Sequence, residues 1–563
     1  IAIVFNGEIY NHLEIRKELI KKGHQFSNDS DTECLIHGYE EYGTDLLHKL
    51  RGMFAFVIWD SRTNTMFGAR DHFGIKPFYY ANINKNLVFS SAILEYPGFE
   101  RKVNEEALEQ YLSFQYSVLP ETFFKGVYKL PAGHYMTYKD GKMEIERYFD
   151  PMMEPKADGD LEETVSEIEK VVHNTVDAHM IADVEVGSLL SSGVDSSYVV
   201  SEFPGEKTFT VGFLDKQSKY NEIRYAEGLV KELGKKNYSK NIDSDEYFDS
   251  IPTVMYYMDE PLADPSCIAL YFVDQLAAEQ IKVVLSGEGS DELFGGYNIY
   301  KEYYSLKPFS YLPEVIKYEV NKVAKKLPDI KGKNYLLRGT TKLKDRYIGN
   351  AKIFSNEEVK NMVYDYDEKN TYSDILAKLY KECDKNNYDS VTTMQYIDIN
   401  TWLEGDILLK ADKMSMAHSL ELRVPFLDTE VLKCAEKLSL AQKVSKKNTK
   451  VLLREAFKDI VPPYMKEKKK LGFPTPIRVW LKSDLGKYVR EIISNANVDK
   501  LINKEYVINL LDEHIEGKRD NSRKVWTVFM FCLWYELYVE GKSISELEFK
   551  SDFNKNGDMC RLA

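Results

Sequence analysis

The sequence predicts a chain of mixed class: an α+β part in front, then an α/β part with a parallel sheet and helical additions. Three observations carry this. Residues 186–190 form a mostly apolar run that breaks into a small polar loop, Ser191-Ser192-Gly193-Val194-Asp195-Ser196, and then opens a helix at Ser197-Tyr198-Val199-Val200. A second apolar run, Phe209-Thr210-Val211-Gly212-Phe213, is followed by a helix opening at Asn221-Glu222-Ile223-Arg224. Strands alternating with helices give a parallel sheet whose ligands sit at the C-terminal strand ends. A third run, Lys282-Val283-Val284-Leu285, ends in the glycine-rich acidic loop Ser286-Gly287-Glu288-Gly289-Ser290-Asp291. The region before residue 150 instead shows short strand-like segments and two helical patterns.

In chain order, Ile1-Ala2-Ile3-Val4-Phe5 reads as an interior strand, so the chain is expected to start inside a domain. Asn6-Gly7 follows, a pair that favours a tight turn. Leu13, Ile15, Leu19 and Ile20 mark an amphipathic helix. Ser30-Asp31-Thr32-Glu33 reads as a helix cap with its acidic partner, before the apolar Cys34, Leu35 and Ile36. Residues 51–60 alternate like a strand, and further short strands run to Tyr148. Residues 151–160 are polar and aperiodic, a linker. The expected division is therefore 1–150, 161–545 and a polar, disordered tail at 546–563. Residues 161–179 show a helical pattern (Val165, Ile168, Val171, Val172, Val176). Residues 301–400 read as helical, rich in Tyr and Lys, and silent about chemistry. The apolar run at 525–535 is too short to span a bilayer and reads as a buried helix.

Composition narrows the function. The chain has 563 residues, with 44% hydrophobic and 29% charged, which are globular values that allow two or more domains. Its net charge of −14 disfavours nucleic acid as a partner. The six cysteines are scattered without a C-x-x-C pair, which suggests a reducing, cytoplasmic setting rather than disulfides or a zinc site. No signal peptide is visible. Small molecules are the expected partners, with neither membrane nor nucleic acid, and a homodimer is left open.

The loop at 191–196 suits an anion, because free backbone N–H groups and the helix dipole meet there. It has no lysine and is not a Walker A loop. The pattern S-x-G-x-D-S resembles the pyrophosphate (PP) loop of the N-type ATP pyrophosphatases, which cleave ATP between the α- and β-phosphates and adenylate a substrate. Together with residues 282–297, it resembles the synthetase half of the glutamine-hydrolysing asparagine synthetase family. Asn6-Gly7-Glu8-Ile9-Tyr10-Asn11, Arg51-Gly52-Met53-Phe54 and Ala69-Arg70-Asp71-His72-Phe73-Gly74 resemble the class II glutamine amidotransferase domain. That domain is an N-terminal-nucleophile fold with two stacked β-sheets between helices.

The resemblance implies residue roles. Asn6, Gly7, Glu8 and Asp31 would bind glutamine, the carboxylates pairing with its α-ammonium. Arg51 and Arg70 are expected to hold structure. The family's nucleophile is a cysteine at the first position of the mature chain, and this sequence starts after that region. Cys34 is expected in the core instead. Residues 1–150 are thus expected to be an N-terminally truncated glutaminase, so that this chain takes ammonia and the intact enzyme takes glutamine. Ser91-Ala92-Ile93 stands where the family usually has serine-glutamate-isoleucine.

In the second part, Leu189, Val211 and Ser286-Gly287 would flank adenine and ribose. Leu190, Ser191, Ser192, Gly193, Val194 and Ser196 would line the phosphates of ATP, although the family often has glycine at 192. Asp195 and Asp291 are placed to share Mg2+, or else to cap helices. Glu288 would be the base that takes a proton from the attacking amine. Lys450 is a cationic candidate, and Lys470-Leu471-Gly472-Phe473 resembles the loop whose lysine neutralises the reacting phosphate. Asp259-Glu260-Pro261-Leu262-Ala263-Asp264-Pro265-Ser266 would face the acceptor. Lys410, Asp412 and Arg423 would contact it, with salt-bridged scaffold an equal alternative. The implied reaction is ATP-dependent amidation of L-aspartate, releasing AMP and pyrophosphate. The rival is amidation of another carboxylate, such as a cell-wall precursor.

Overall fold

The computed structural model describes residues 1–93, 99–156, 159–191, 193–214, 222–328, 330–461 and 475–549. The front part holds β1 (Ala2–Ile9), β2 (Gly52–Asp60), β3 (Thr65–Arg70), β4 (Tyr79–Ile83), β5 (Asn86–Ser90), β6 (Val127–Lys129), β7 (His134–Lys139) and β8 (Lys142–Arg147). They form an antiparallel sheet of order β1-β2-β3-β7-β8 and a smaller one of order β5-β4-β6.

Both faces of the larger sheet are covered, and the alternation of β2 shows how. Phe54, Phe56 and Ile58 point to one face, where they pack with Ile15, Leu19, Leu35, Leu46 and Leu47 of the helical layer. Ala55 and Val57 point to the other, where they meet Phe78 and Tyr80 beside the smaller sheet. Cys34 is buried on the helix Asp31–Tyr42, as core. The expected Asn6-Gly7 turn does not form. Both residues lie inside β1, paired with Ala55 and Phe54. Gly7 has φ +146°, and a Cβ there would lie 2.0 Å from the Met53 carbonyl oxygen. Strand pairing overrides the local turn preference.

The second part holds β9 (Val186–Leu189), β10 (Lys207–Phe213), β11 (Lys236–Ile242), β12 (Val283–Leu285) and β13 (Glu421–Arg423), in a sheet of order β11-β10-β9-β12-β13. Every pairing is parallel. The chain leaves β9 for β10 on one side and later returns to β12 on the other. The loops after β9 and β12 therefore open side by side at a topological switch point, where such sheets bind ligands.

The segment read as a linker carries no helix or strand, but it is tied down. Glu154 and Lys156 donate backbone hydrogen bonds to the carbonyls of Glu436 and Lys437 at 3.0 and 2.9 Å. The helix Ser522–Tyr538 is buried almost throughout, as its apolar run implies. It locks onto both parts: Trp534 Nε1 donates to the Asp259 carbonyl, and the Tyr111 hydroxyl donates to the Thr527 carbonyl, each at 2.8 Å. Arg51 and Arg70 bridge the two parts. Arg51 Nε reaches Asp428 at 2.6 Å, and Arg70 Nη1 reaches Glu404 at 2.5 Å.

Candidate functional site

A cleft of about 320 Å³ opens at the C-terminal ends of β9, β10 and β12. Of the expected nucleotide residues, Leu189, Leu190, Ser191, Gly193, Val194, Asp195, Ser196, Val211, Ser286, Gly287 and Lys450 line it, with Glu288 and Asp291. Ser192 and Lys470 lie outside the described residues. The first loop is shaped by its own hydroxyls. Ser196 Oγ accepts from the Ser191 N–H at 3.1 Å, and Ser191 Oγ accepts from the Gly193 N–H at 3.1 Å. The second loop presses on the first, since a Cβ on Gly287 would lie 2.9 Å from the Ser196 nitrogen. Only glycine permits that approach.

Charge converges where the loops meet. Ser290 Oγ donates to Asp195 Oδ1 at 2.9 Å. The buried Lys450 ammonium bonds to Asp195 and lies 2.8 Å from Asp291 Oδ1. Burial lowers the Lys450 pKa, against the opposing pull of Asp195. Its backbone sits at φ 54°, ψ 46°, a left-handed conformation that costs a non-glycine residue energy and that functional sites tolerate. Gly296 makes room for the arrangement, because a Cβ there would fall 1.8 Å from Asp291 Oδ1.

The two carboxylates thus flank one cationic position. Hard oxygen donors at a phosphate loop fit Mg2+, and the ammonium between them shows that the pocket is built to neutralise both charges. Glu288 accepts a hydrogen bond from the Ser286 hydroxyl at the cleft wall.

The three acceptor candidates separate. Lys410 lines the cleft, held between Asp264 at 2.5 Å and Asp406 at 2.8 Å, and that pair keeps it protonated against burial. Asp412 and Arg423 are absent from the lining. Asp412 is buried against Lys76 of the front part at 3.0 Å. Arg423, on the edge strand β13, donates to the carbonyls of His179 and Ile181 and pairs with Glu421 at 2.6 Å and Glu8 at 3.4 Å. Each finds its countercharge away from the cleft, the arrangement that the scaffold alternative expects.

At the front, Asn6, Gly7 and Glu8 lie on β1, and Asp31 Oδ2 accepts the Ile9 N–H at 3.1 Å. Burial and then Asp31 push the Glu8 carboxyl up to about 7, with Arg423 pulling the other way. Cys34 is buried, and burial pushes its thiol up to about 11, which disfavours the thiolate.

The cleft also contains groups that the sequence reading passed over: Glu222, Glu292, Tyr297, Trp402 and Arg454. Burial pushes Glu292 up to about 7. Trp402 Nε1 donates to the Tyr297 hydroxyl at 2.9 Å. Arg454 was within reach of sequence reasoning, since it stands one helical turn after Lys450.

Comparison with known proteins identifies the family. Residues 167–536 match the family model described as asparagine synthase, and residues 1–149 match the glutamine amidotransferase domain. The chain is 45% identical over 552 residues to asparagine synthetase [glutamine-hydrolyzing] 1 of Bacillus subtilis (strain 168), covering 97% of this chain and 87% of the relative. It is 40% identical to a putative asparagine synthetase [glutamine-hydrolyzing] of Mycobacterium bovis, over 97% and 86%. It is 27% identical to asparagine synthetase [glutamine-hydrolyzing] 3 of Bacillus subtilis, over 90% and 82%. The chain belongs to the asparagine synthase family.

Proposed function

We propose that this chain makes asparagine: ATP activates the side-chain carboxylate of L-aspartate, and ammonia displaces AMP. Glutamine is the nitrogen source that the relatives' names give. The observation that carries the proposal is the convergence of Asp195, Asp291 and Lys450 where the loops after β9 and β12 meet. The carboxylate oxygen attacks the α-phosphorus of ATP, the bond to the β-phosphate oxygen breaks, and pyrophosphate leaves. Ammonia then attacks the acyl carbon, the bond to AMP breaks, and a proton passes to a base.

Lys450 holds positive charge where the triphosphate sits, and Ser191, Gly193 and Ser196 offer donors to its oxygens. Asp195 and Asp291 would hold Mg2+, which supplies charge neutralisation on the leaving pyrophosphate. Leu189, Val211, Ser286 and Gly287 would flank the nucleoside. Glu288, at the cleft wall, is the base. Lys410 positions Asp264 on the acceptor side. In the front part, Asn6, Gly7, Glu8 and Asp31 would hold glutamine. Among the described residues five cysteines are free and buried, which supports a reducing, cytoplasmic setting, and no helix is long and apolar enough to cross a membrane.

The test is pyrophosphate release across a panel of carboxylates with ammonium as nitrogen donor. Aspartate should give the highest turnover. A cell-wall peptide carboxylate that outperforms it would replace the acceptor assignment. In Glu288→Gln, amide formation should fall ~10²–10⁴-fold while the fold persists. Unchanged amide formation would remove Glu288 as the base.

A further inference from the structure

The front part carries a second cluster of ligand-type side chains, away from the cleft. His24 follows the helix His12–Lys21, and His37 and Glu40 lie on the helix Asp31–Tyr42. Their potential ligand atoms all fall within 4.8 Å of one another. His24 Nδ1 faces His37 Nδ1 at 3.2 Å, and His37 Nδ1 faces Glu40 Oε2 at 3.1 Å. A tetrahedral ion with bonds near 2.0–2.2 Å needs ligand atoms roughly 3.3–3.5 Å apart. These two separations are slightly shorter than those of a coordination shell. Two imidazole nitrogens and a carboxylate oxygen at a single point cannot all be satisfied by protons, because His37 Nδ1 can donate to only one neighbour.

The outward-facing atoms make the stronger case. Metal-bound histidines usually give their second nitrogen to a carboxylate, which fixes the ring and raises its basicity. Here both do. His24 Nε2 lies 3.2 Å from Glu41, itself held by Lys22 at 2.8 Å. His37 Nε2 lies 3.7 Å from Glu33, whose carboxylate accepts the backbone N–H groups of Ser27 and Asn28 at 2.8 and 2.9 Å. The free oxygen of Glu40 pairs with Arg62 at 3.0 Å. The Phe26 ring packs edge-on against His37 at 4.7 Å. His24 and Glu40 are therefore oriented from behind, and His37 is braced by the Phe26 ring. Side-chain exposures of 17–28% leave the centre reachable from solvent.

We propose that His24, His37 and Glu40 form a binding site for a first-row divalent cation, zinc above all, with water completing the shell. Nitrogen-rich donor sets of this kind favour zinc, cobalt or nickel over Mg2+. The ion would clip the loop at 22–30 onto the helix whose first residue, Asp31, anchors the end of β1.

The test uses the whole 563-residue chain, stripped with chelator and held in excess Mg2+ so that carboxylate-only sites are filled. With Zn2+ alone as probe, one equivalent should survive desalting and raise the melting temperature. Co2+ should give visible bands of tetrahedral intensity. His37→Ala should lose the retained equivalent and the thermal shift, and Glu41→Gln should weaken affinity about 10–100-fold. Should His37→Ala fold poorly, His24→Asn provides the same reading. Absence of retained zinc in the wild-type chain would overturn the proposal. So would zinc retained equally by the wild type, His37→Ala and His24→Asn.

Discussion

The two candidate pockets are built on opposite principles. The cleft lies at the centre of a parallel sheet, and all its charged groups come from one part of the chain. Asp195, Ser290, Lys450 and Asp291 answer one another. The front candidates lie on and beside β1, the edge strand of its sheet, where Val4 is 65% exposed, and Glu8 takes a cation from β13 of the other part. A site at the middle of a sheet is braced from both sides. A site on an edge borrows its rigidity from whatever packs against it. Damage to the second part should therefore reach the front pocket, while damage within the front pocket should leave the cleft intact.

The largest expected effect tests the cleft's self-sufficiency. Asp195→Asn should cut aspartate-dependent pyrophosphate release ~10²–10³-fold, the scale of losing one preorganised electrostatic contact. Lys450 keeps Asp291, so the melting temperature should barely move. Near-wild-type turnover would mean that the charge convergence is not where ATP reacts.

Next comes Arg423→Met, which strands Glu421 and Glu8 and frees two carbonyls. Because both carboxylates are partly exposed, the cost should fall below the about 3–5 kcal/mol of a fully buried pair, and it is readable as a shift in the urea midpoint. The comparison predicts that protease cuts appear first in β1 and the adjoining helix. Simultaneous loss of both parts would show that they unfold as one unit.

The smallest effect is electrostatic. A carboxyl raised from 4.5 to about 7 in the folded chain binds its proton more tightly there than when unfolded. Its contribution is complete below about pH 4.5 and is lost as pH rises through about 7. Glu8→Gln should match the wild type at pH 5 and exceed it at pH 8, by about 1 kcal/mol at most, because solvent partly screens this incompletely buried group. A wild-type advantage at pH 8 would mean that Arg423 dominates Glu8 after all.

The same contrast explains what could be read from the sequence. The cleft's loops are contiguous motifs, each a strand, a turn and a helix start, so local pattern exposed Ser191, Asp195, Ser286, Gly287 and Asp291 together. Lys450 and Glu288 followed from resemblance and proved to line the same space. The Arg423–Glu8 contact joins residues 415 positions apart, and no local signal announces it. The strand β11, with sequence Lys-Asn-Tyr-Ser-Lys-Asn-Ile, went unread because its charged edge hides the alternation. Asn6-Gly7 shows the opposite: its local turn signal is strong, and pairing with β2 overrules it.

One stretch behind the cleft sets a rotational phase. Between the α-helices Ser390–Asp398 and Leu409–Met416 the chain runs as a ten-residue π-helix, Ile399–Leu408, without a break. It delivers Trp402 and Ile407 to the cleft, Glu404 to Arg70 and Asp406 to Lys410. A π-helix holds more residues per turn than an α-helix. Deleting one residue here would change the rotation between the two flanking α-helices, because fewer residues would have to span the same gap with a different number per turn. The register of Lys410 against Asp264 depends on that rotation. This segment behaves like a vernier: its length, and not only its side chains, is part of the site.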